Sequence, residues 1–385
     1  MTAPLSVYLI AGEPSGDALA ARLMAGLKDR LGEKGVVFKG VGGPLMQAEG
    51  LTSLFPMEDL TVMGLMEVLP KLPLLIKRIN QAARDALAAK PDVFITVDAP
   101  DFSFRVAKKL KDAPFPKVHY VAPSVWAWRP GRAKKIAALY DHLLTLLPFE
   151  PPYFEKEGLP ATFIGHSVIE TGADAGEGDR FRAQHDIGKD ERVLMVLPGS
   201  RRGEVERHLP VFRETLSRLH DLMGDFVVVT PVVGKAADLV RAELADWPWK
   251  TIIIDGVQEK YDAMAGADAA LAASGTVGLE LALARLPAVI GYRMNGLTAW
   301  IARRVVKTPY VNLVNILEKQ EVVPELLLED CTAENLSAAL ADLYRDETLR
   351  QQQVAGYEHA VQALGYGGEK PGHRAADVIL TLTDR

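Results

Sequence analysis

Two strand-to-loop-to-helix signatures, one in each half of the chain, constrain the fold most. The first, VYLIAGEPSGD, covers residues 7–17, and the second, VLMVLPGSRRGEV, covers residues 193–205. Each opens a series of short apolar, β-branched runs that alternate with helix-length segments, which is typical of parallel sheets covered by helices. The sequence therefore predicts an α/β protein with two Rossmann-like domains that face a cleft.

The apolar runs also predict the individual strands and the limits of the domains. The expected strands are residues 5–11, 36–41, 92–98, 117–122, 142–147 and 161–164 in the first half, and 193–197, 226–230, 251–254, 269–272 and 288–292 in the second. We expect the domain boundary near residues 166–179, because TGADAGEGD is small, polar and weakly structured. The predicted domains are residues 1–170 and 171–347, followed by C-terminal helices at 348–385 that pack back on the first domain or on a second subunit.

The composition excludes several classes of protein. A net charge of −6 argues against general binding of nucleic acid. The single cysteine, Cys331, excludes an internal disulfide and a multi-thiolate zinc site. The N-terminus lacks the basic and apolar regions of a signal peptide, and no apolar run is long enough to cross a bilayer. We therefore expect a protein that stays in the cytoplasm.

One stretch is strongly basic despite the negative net charge. The segment from Ser103 to Lys135 contains one acidic residue, Asp112, and nine basic residues: Arg105, Lys108, Lys109, Lys111, Lys117, Arg129, Arg132, Lys134 and Lys135. Such a face suits an anionic partner, for example a phosphate group or a lipid surface. A solvated surface helix is the alternative interpretation.

Residues 62–75, VMGLMEVLPKLPLL, are more apolar than one helix face can bury. Pro70 and Pro73 interrupt the segment, and Lys77 and Arg78 follow it. Excess apolar surface beside basic residues is typical of a segment that enters a membrane interface or holds acyl chains, and ordinary core is the alternative. The helix that follows is predicted from an i, i+3, i+4, i+7 stripe, which consists of Leu72, Leu75, Ile76, Ile79, Ala83 and Leu87.

Acidic residues near the ends of two predicted strands are the candidates for chemistry in the first half. Asp98, in ITVDAPDF, lies where open α/β sheets place ligand groups, and a carboxylate there can accept a proton from an attacking hydroxyl. Asp101 either caps the next helix or lines the same site. In AGEPSGD, Ser15 or Asp17 could cap a helix, whereas Glu13 precedes a proline in mid-loop and is a candidate for the cleft.

Two tryptophans, Trp126 and Trp128, and the adjoining Arg129 follow the fourth strand in VAPSVWAWRPGRAKK. Two tryptophans in a loop are too bulky to leave in water, so they pack on the domain itself or on a sugar ring or acyl chain. The chain has neither the G-x-G-x-x-G spacing of an NAD site nor a D-x-D pair that chelates a metal–diphosphate complex. We expect a reaction that uses no metal and no cofactor.

The second half contains two loops suited to phosphate groups. In LPGSRRGEV, Gly199 and Ser200 offer backbone donors and Arg201 or Arg202 offers a guanidinium. In ASGTVGLE, the predicted donors are Ser274, Gly275 and Thr276. Glu280 follows on a mainly apolar helix, where either a ribose diol or a buried basic side chain would satisfy its carboxylate. Asn312 and Asn315 in PYVNLVN are weaker candidates.

These motifs, in this order, resemble those of the lipid-A-disaccharide synthases, inverting glycosyltransferases of bacterial outer-membrane biogenesis. The quoted motifs are AGEPSGD, VDAPDF, YVAPSVWAWRPGRAKKI, LPGSRRGEV, ASGTVGLE, GYRMN and PYVNLVN, and the resemblance runs from about residue 6 to residue 330. It implies a cytoplasmic protein with a GT-B fold that associates peripherally with the inner membrane. It also implies a reaction that joins UDP-2,3-diacylglucosamine to 2,3-diacylglucosamine 1-phosphate through a β(1→6) linkage and releases UDP.

The resemblance gives each candidate residue a role. Asp98 becomes the catalytic base. The acceptor-binding residues are Glu13, Ser15, Asp101 and Arg129, and the nucleotide-binding residues are Gly199, Ser200, Arg201, Ser274, Gly275, Thr276, Glu280 and Asn315. Whether Arg202 shares the diphosphate role, and whether the protein is a homodimer, is left open. A UDP-sugar epimerase or hydrolase on the same fold is the main alternative, and a non-catalytic lipid- or nucleotide-binding protein is the other.

Overall fold

A computed structural model describes residues 3–60, 65–127, 131–232, 234–295 and 308–385, with only the backbone for residues 65–71 and 235. The chain divides into two compact units. The first comprises the chain up to Ser167 together with Gly367–Arg385, and the second comprises Val168–Tyr366. Each unit contains one sheet in which every described strand pair is parallel.

The sheet of the first unit has seven strands in the order β3-β2-β1-β4-β5-β6-β7. Its strands are β1 Leu5–Ala11, β2 Val36–Val41, β3 Thr52–Ser53, β4 Val93–Val97, β5 Lys117–Tyr120, β6 His142–Thr145 and β7 Ala161–Phe163. Its helices are α1 Pro14–Leu31, α2 Pro44–Ala48, α3 Leu65–Ala89, α4 Pro100–Lys109, α5 Arg132–Ala137 and α6 Pro151–Glu155, with a 3-10 turn at Met57–Asp59.

The sheet of the second unit has six strands in the order β10-β9-β8-β11-β12-β13. Its strands are β8 Val193–Leu197, β9 Val227–Val232, β10 Thr251–Asp255, β11 Ala269–Ala272, β12 Ala288–Tyr292 and β13 Glu325–Leu327. The helices are α7 Gly178–Gln184, α8 Arg202–Met223, α9 Ala237–Leu244, α10 Val257–Gly266, α11 Val277–Leu283, α12 Leu313–Glu318, α13 Ala333–Arg345 and α14 Glu347–Ala363. Short 3-10 turns cover Ser167–Glu170, Ala173–Ala175 and Gly234–Ala236.

The last helix, α15 Pro371–Leu382, belongs to the first unit and packs along α1. Glycines allow this close approach, because a Cβ on Gly26 would lie 2.6 Å from the carbonyl oxygen of Gly372. An ion pair between Arg30 and Asp377, 2.8 Å apart, fixes the outer side of the same contact. The chain therefore ends in the unit in which it began.

Each predicted strand is present. The central strands β4 and β8 are buried at every position. The edge strands β3 and β13 were not predicted, since they have two and three residues and include polar side chains. The expected α/β class is confirmed by the two parallel sheets.

The predicted apolar stripe of α3 is partly wrong. Ile79 and Ala83 are buried as expected, but Ile76 is 49 % exposed and Leu87 is 45 % exposed. The buried face is completed instead by the small residues Ala82 and Ala86. The helix also continues through Pro70 and Pro73, so these prolines do not end it. No helix in the described part of the chain has the length and apolar character that a membrane span requires.

Candidate functional site

Each sheet has one point at which the strand order reverses, and open α/β sheets place ligands beside the loops that follow those strands. In the first unit the point lies between β1 and β4, whose loops carry AGEPSGD and VDAPDF. In the second unit it lies between β8 and β11, whose loops carry LPGSRR and ASGT. Four of the loops predicted to carry site residues therefore lie at the two reversal points.

A cavity of about 430 Å³ opens at the reversal point of the second unit. It brings together seven of the predicted nucleotide-binding residues: Gly199, Ser200, Arg201, Ser274, Gly275, Thr276 and Glu280. A hydrogen bond of 2.8 Å from the backbone N–H of Ala273 to the carbonyl oxygen of Leu197 ties the two loops together at their base. The loop at β8 leads into α8, a helix of 22 residues whose free N-terminal N–H groups favour an anion.

Glycine is required in the loop after β8. Gly199 has a φ of +111°, which side chains rarely adopt, and a Cβ there would lie 3.0 Å from the Cβ and a carboxylate oxygen of Glu204. Gly275, in the other loop, has a φ of +148°. Both loops can therefore follow a path on which backbone groups approach a ligand closely.

The cavity also contains charged residues that the sequence analysis missed, Glu204 and Lys260. Glu204 lies 3.0 Å from the guanidinium of Arg201, and Lys260 lies 2.8 Å from the carboxylate of Glu280. The first pair has a signal in the sequence, because residues i and i+3 face each other on a helix. The second pair joins α10 to α11 and has no local signal. The sequence left two partners open for Glu280, a ribose diol and a basic side chain, and in the structure the partner is the basic side chain of Lys260.

The structure does not bring Asn315 or Arg202 to the cavity wall. Asn315 is fully buried, and its amide binds Glu325 and the backbone of Val322 and Val323 at 2.8 to 2.9 Å. Arg202 points elsewhere and pairs with Glu206 at 2.8 Å. Asn315 therefore holds the segment before β13 in place.

His208 links the β8 loop to the end of β12 and was also missed. It is fully buried, with its Nδ1 2.9 Å from the carbonyl oxygen of Pro198 and its Nε2 3.0 Å from the backbone N–H of Arg293. A carbonyl can only accept and a backbone N–H can only donate, so the ring is neutral with its proton on Nδ1. Burial lowers the pKa of His208, which favours this neutral form.

At the reversal point of the first unit, Asp98 follows β4 in a strained conformation. Asp98 and Ala99 both have positive φ angles, +53° and +44°. Such angles in consecutive non-glycine residues are costly and tend to occur at functional sites. The hydroxyl of Ser15 donates to a carboxylate oxygen of Asp98 at 3.1 Å, and a Cβ on Gly12 would lie 2.8 Å from that of Ala99. The loops after β1 and β4 are thus in direct contact.

The remaining acidic candidates of the first unit have different positions. Glu13 is exposed at the N-cap of α1, and Asp101 is exposed in the first turn of α4. Asp17 does not cap α1. Its buried carboxylate accepts hydrogen bonds from the backbone of Gly43, Leu45 and Met46 at 2.9 to 3.1 Å, and so holds the start of α2.

Trp128 and Arg129 lie outside the described residues, but Trp126 packs on its own domain. Its indole N–H donates to Glu150 at 3.2 Å, and its ring meets Phe149 edge-on. Burial raises the pKa of Glu150 to about 7. Of the two interpretations of this tryptophan, contact with the domain is the one observed.

The basic stretch is not uniform. Lys117 is buried and pairs with Asp141 at 3.2 Å, so it belongs to the core. Arg132 and Lys135 instead line a hollow of about 590 Å³, together with Phe104, Gly131 and Ile136. Arg78, which follows the apolar segment 62–75, pairs with Asp59 and stacks over Phe55. Residues 62–64 lie outside the described part of the chain.

Comparison with solved structures defines the class of the protein. MurG of Acinetobacter baumannii superimposes with a TM-score of 0.59 at 14% identity, and the match covers 98% of this chain and 100% of that one. The UDP-GlcNAc 2-epimerase of Neisseria meningitidis, solved with UDP-GlcNAc, gives a TM-score of 0.61 at 11% identity and covers 99% of both chains. The chain therefore has the GT-B fold, as predicted.

Sequence comparison identifies the family. The lipid-A-disaccharide synthetase family matches residues 7–377. The lipid-A-disaccharide synthase of Rhodospirillum centenum is 52% identical over 98% of this chain and 95% of its own length. The chain belongs to the lipid-A-disaccharide synthetase family, which confirms the resemblance read from the motifs. It is a glycosyltransferase of lipid A biosynthesis.

Proposed function

We propose that this glycosyltransferase joins UDP-2,3-diacylglucosamine to 2,3-diacylglucosamine 1-phosphate through a β(1→6) linkage and releases UDP. The observation that carries the proposal is the cavity of the second unit, in which two glycine-containing loops at the reversal point meet cationic side chains. Such a cavity suits a nucleoside diphosphate. Membership of the family supports the identity of the sugar and the acceptor.

The donor is proposed to bind in this cavity. The backbone N–H groups at the start of α8 and the guanidinium of Arg201 would bind the diphosphate and stabilise the negative charge that develops as UDP leaves. Glu280 would accept hydrogen bonds from the ribose hydroxyls. Asn315 would not contact the donor directly, because its side chain is fully engaged with Glu325 and the backbone of Val322 and Val323.

Asp98 is proposed as the catalytic base. It would take the proton of the acceptor 6-hydroxyl while that oxygen attacks the anomeric carbon, and the bond from that carbon to UDP would break with its electron pair leaving on the β-phosphate. A direct displacement of this kind inverts the configuration. The hydrogen bond from Ser15 and the fixed backbone after β4 support this role, because both restrict the carboxylate before the substrate arrives.

The acceptor is proposed to bind the first unit, whose loops carry Glu13, Asp101 and Arg129. The hollow beside Arg132 and Lys135 supports a site for its anionic phosphate. The exposed side chain of Ile76 on α3 supports attachment to the surface of the inner membrane, where lipid substrates reside.

The test is analysis of products by mass spectrometry and by NMR, because an epimer has the same mass as the sugar from which it forms. The purified protein is incubated with both glycolipids, with the UDP-sugar alone, and with the acceptor alone. We expect equal amounts of UDP and disaccharide only when both substrates are present. Turnover of the UDP-sugar alone, to an epimer or a free sugar, would instead establish an epimerase or hydrolase and would overturn the proposal.

A further inference from the structure

Among the residues that the structure describes, four ionisable side chains line the cavity of the second unit, and they form two ion pairs. Arg201, the N-cap of α8, pairs with Glu204 in the first turn of that helix, and the side chain of Arg201 is 72 % exposed. Lys260 pairs with Glu280 across two helices, and its side chain is only 15 % exposed. The formal charges sum to zero, whereas a nucleoside diphosphate brings at least two negative charges. Binding of such a ligand therefore requires cations that contact it, and Lys260 is the more enclosed of the two in this cavity.

The position of Lys260 is fixed from two sides. Its ammonium lies 2.8 Å from Oε1 of Glu280 and 4.7 Å from the ring centre of Tyr261. The hydroxyl of Tyr261 donates to the same oxygen of Glu280 at 3.1 Å. Glu280 is thus supported by a neutral donor as well as by the lysine. The carboxylate of Glu280 therefore has a donor besides Lys260, and Lys260 itself lines the cavity.

The two groups offer complementary chemistry to one ligand. Both of these donors reach Oε1, so Oε2 of Glu280 is the oxygen on which the described residues place no hydrogen bond. An ammonium has three N–H donors, and the bond to Glu280 uses one of them. The carboxylate can accept from sugar hydroxyls while the neighbouring ammonium donates to phosphate oxygens.

We propose that Lys260 is a phosphate-binding residue of the donor site, oriented by Glu280 and Tyr261. This inference rests on the proposed donor site and adds a second cation to Arg201. It makes the Lys260–Glu280 pair a single recognition unit for a nucleoside diphosphate, with one member for the ribose and the other for the phosphates. A compact ammonium suits this place, because it binds phosphate as a point charge.

The test compares UDP with uridine, which lacks the phosphates. Affinities for Lys260→Met are measured by calorimetry, directly for UDP and by displacement for uridine. Loss of a charged hydrogen bond typically corresponds to a reduction of about tenfold to a hundredfold. We expect that loss for UDP and a change of less than about twofold for uridine. Lys250→Met is the matched control, because Lys250 binds a backbone carbonyl outside the cavity.

Two further variants keep the result unambiguous. Lys260→Gln retains a donor for Glu280 without the charge and should lose UDP affinity as Lys260→Met does, whereas Lys260→Arg should retain most of it. Unchanged UDP affinity, or equal weakening of UDP and uridine, would overturn the proposal, since equal weakening means that Lys260 only orients Glu280. These titrations need no acceptor, so they are independent of whether the parent forms the disaccharide.

Discussion

Replacing His208 by phenylalanine should weaken both the fold and the binding of UDP. The phenyl ring keeps the contacts with Phe212 and Tyr292, whose ring centres lie 5.7 and 5.1 Å from that of the imidazole. It removes both hydrogen bonds, so the carbonyl of Pro198 and the backbone N–H of Arg293 lose their partner. Each unsatisfied buried group costs about 1–3 kcal/mol, which gives about 2–6 kcal/mol for the two.

The loss of these two hydrogen bonds should also weaken UDP binding, because Pro198 precedes Gly199 in the β8 loop and both residues line the cavity. Stability is measured by urea denaturation and UDP affinity by calorimetry. The matched control is Thr215→Val, which removes a 2.8 Å hydrogen bond to Val211 within the same helix and touches no loop. We expect the control to bind UDP like the parent. If His208→Phe unfolds at the same urea concentration as the parent and binds UDP equally well, the two hydrogen bonds of His208 have no role in stability or in binding.

Two further predictions concern acid stability and the membrane. Burial lowers the pKa of His119 to about 3, so below about pH 6.5 the unfolded chain binds a proton that the folded chain does not. The free energy of unfolding should therefore fall as the pH drops. His119→Gln should reduce the slope of the free energy of unfolding against pH by about 1.4 kcal/mol per pH unit between pH 4 and 6. If urea denaturation gives the same slope for the parent and for His119→Gln, the prediction is wrong. Replacing Leu74 and Ile76 with serine should release the protein from vesicles of anionic phospholipid, so that it stays in the supernatant when the vesicles are sedimented. Replacing Leu222, which is as exposed as Ile76, with serine should have no such effect. Unchanged sedimentation of the first variant would contradict an interfacial role for α3.

The strands, the reversal-point loops and seven cavity residues could be predicted because their signals are local. Buried β-branched runs specify strands, and glycine beside serine marks a loop that needs unusual backbone angles. A reversal point then brings two such loops together, although they are distant in the sequence. Knowing the order of the strands is therefore enough to place Gly199 beside Gly275 in the same cavity.

The partners of polar side chains could not be predicted in the same way. The carboxylate of Asp17 accepts a hydrogen bond from the backbone of Gly43, which precedes α2, and Glu280 pairs with Lys260 across two helices. Nothing in the local sequence indicates either contact. The α3 stripe failed for a different reason: apolar periodicity gives weight to large residues, whereas the buried face of this helix uses alanines such as Ala82.

The proposed mechanism requires that Asp98 acts on the acceptor while the second unit binds the donor. The measurement is the turnover number of Asp98→Asn with both glycolipids, beside calorimetric titration of the same variant with UDP. A positioned base typically supplies a factor on the order of 100 to 10,000, so we predict that kcat falls by that factor while UDP affinity stays within about twofold of the parent. Normal turnover would show that Asp98 is not the base. Loss of UDP binding would place it on the donor side and contradict the account.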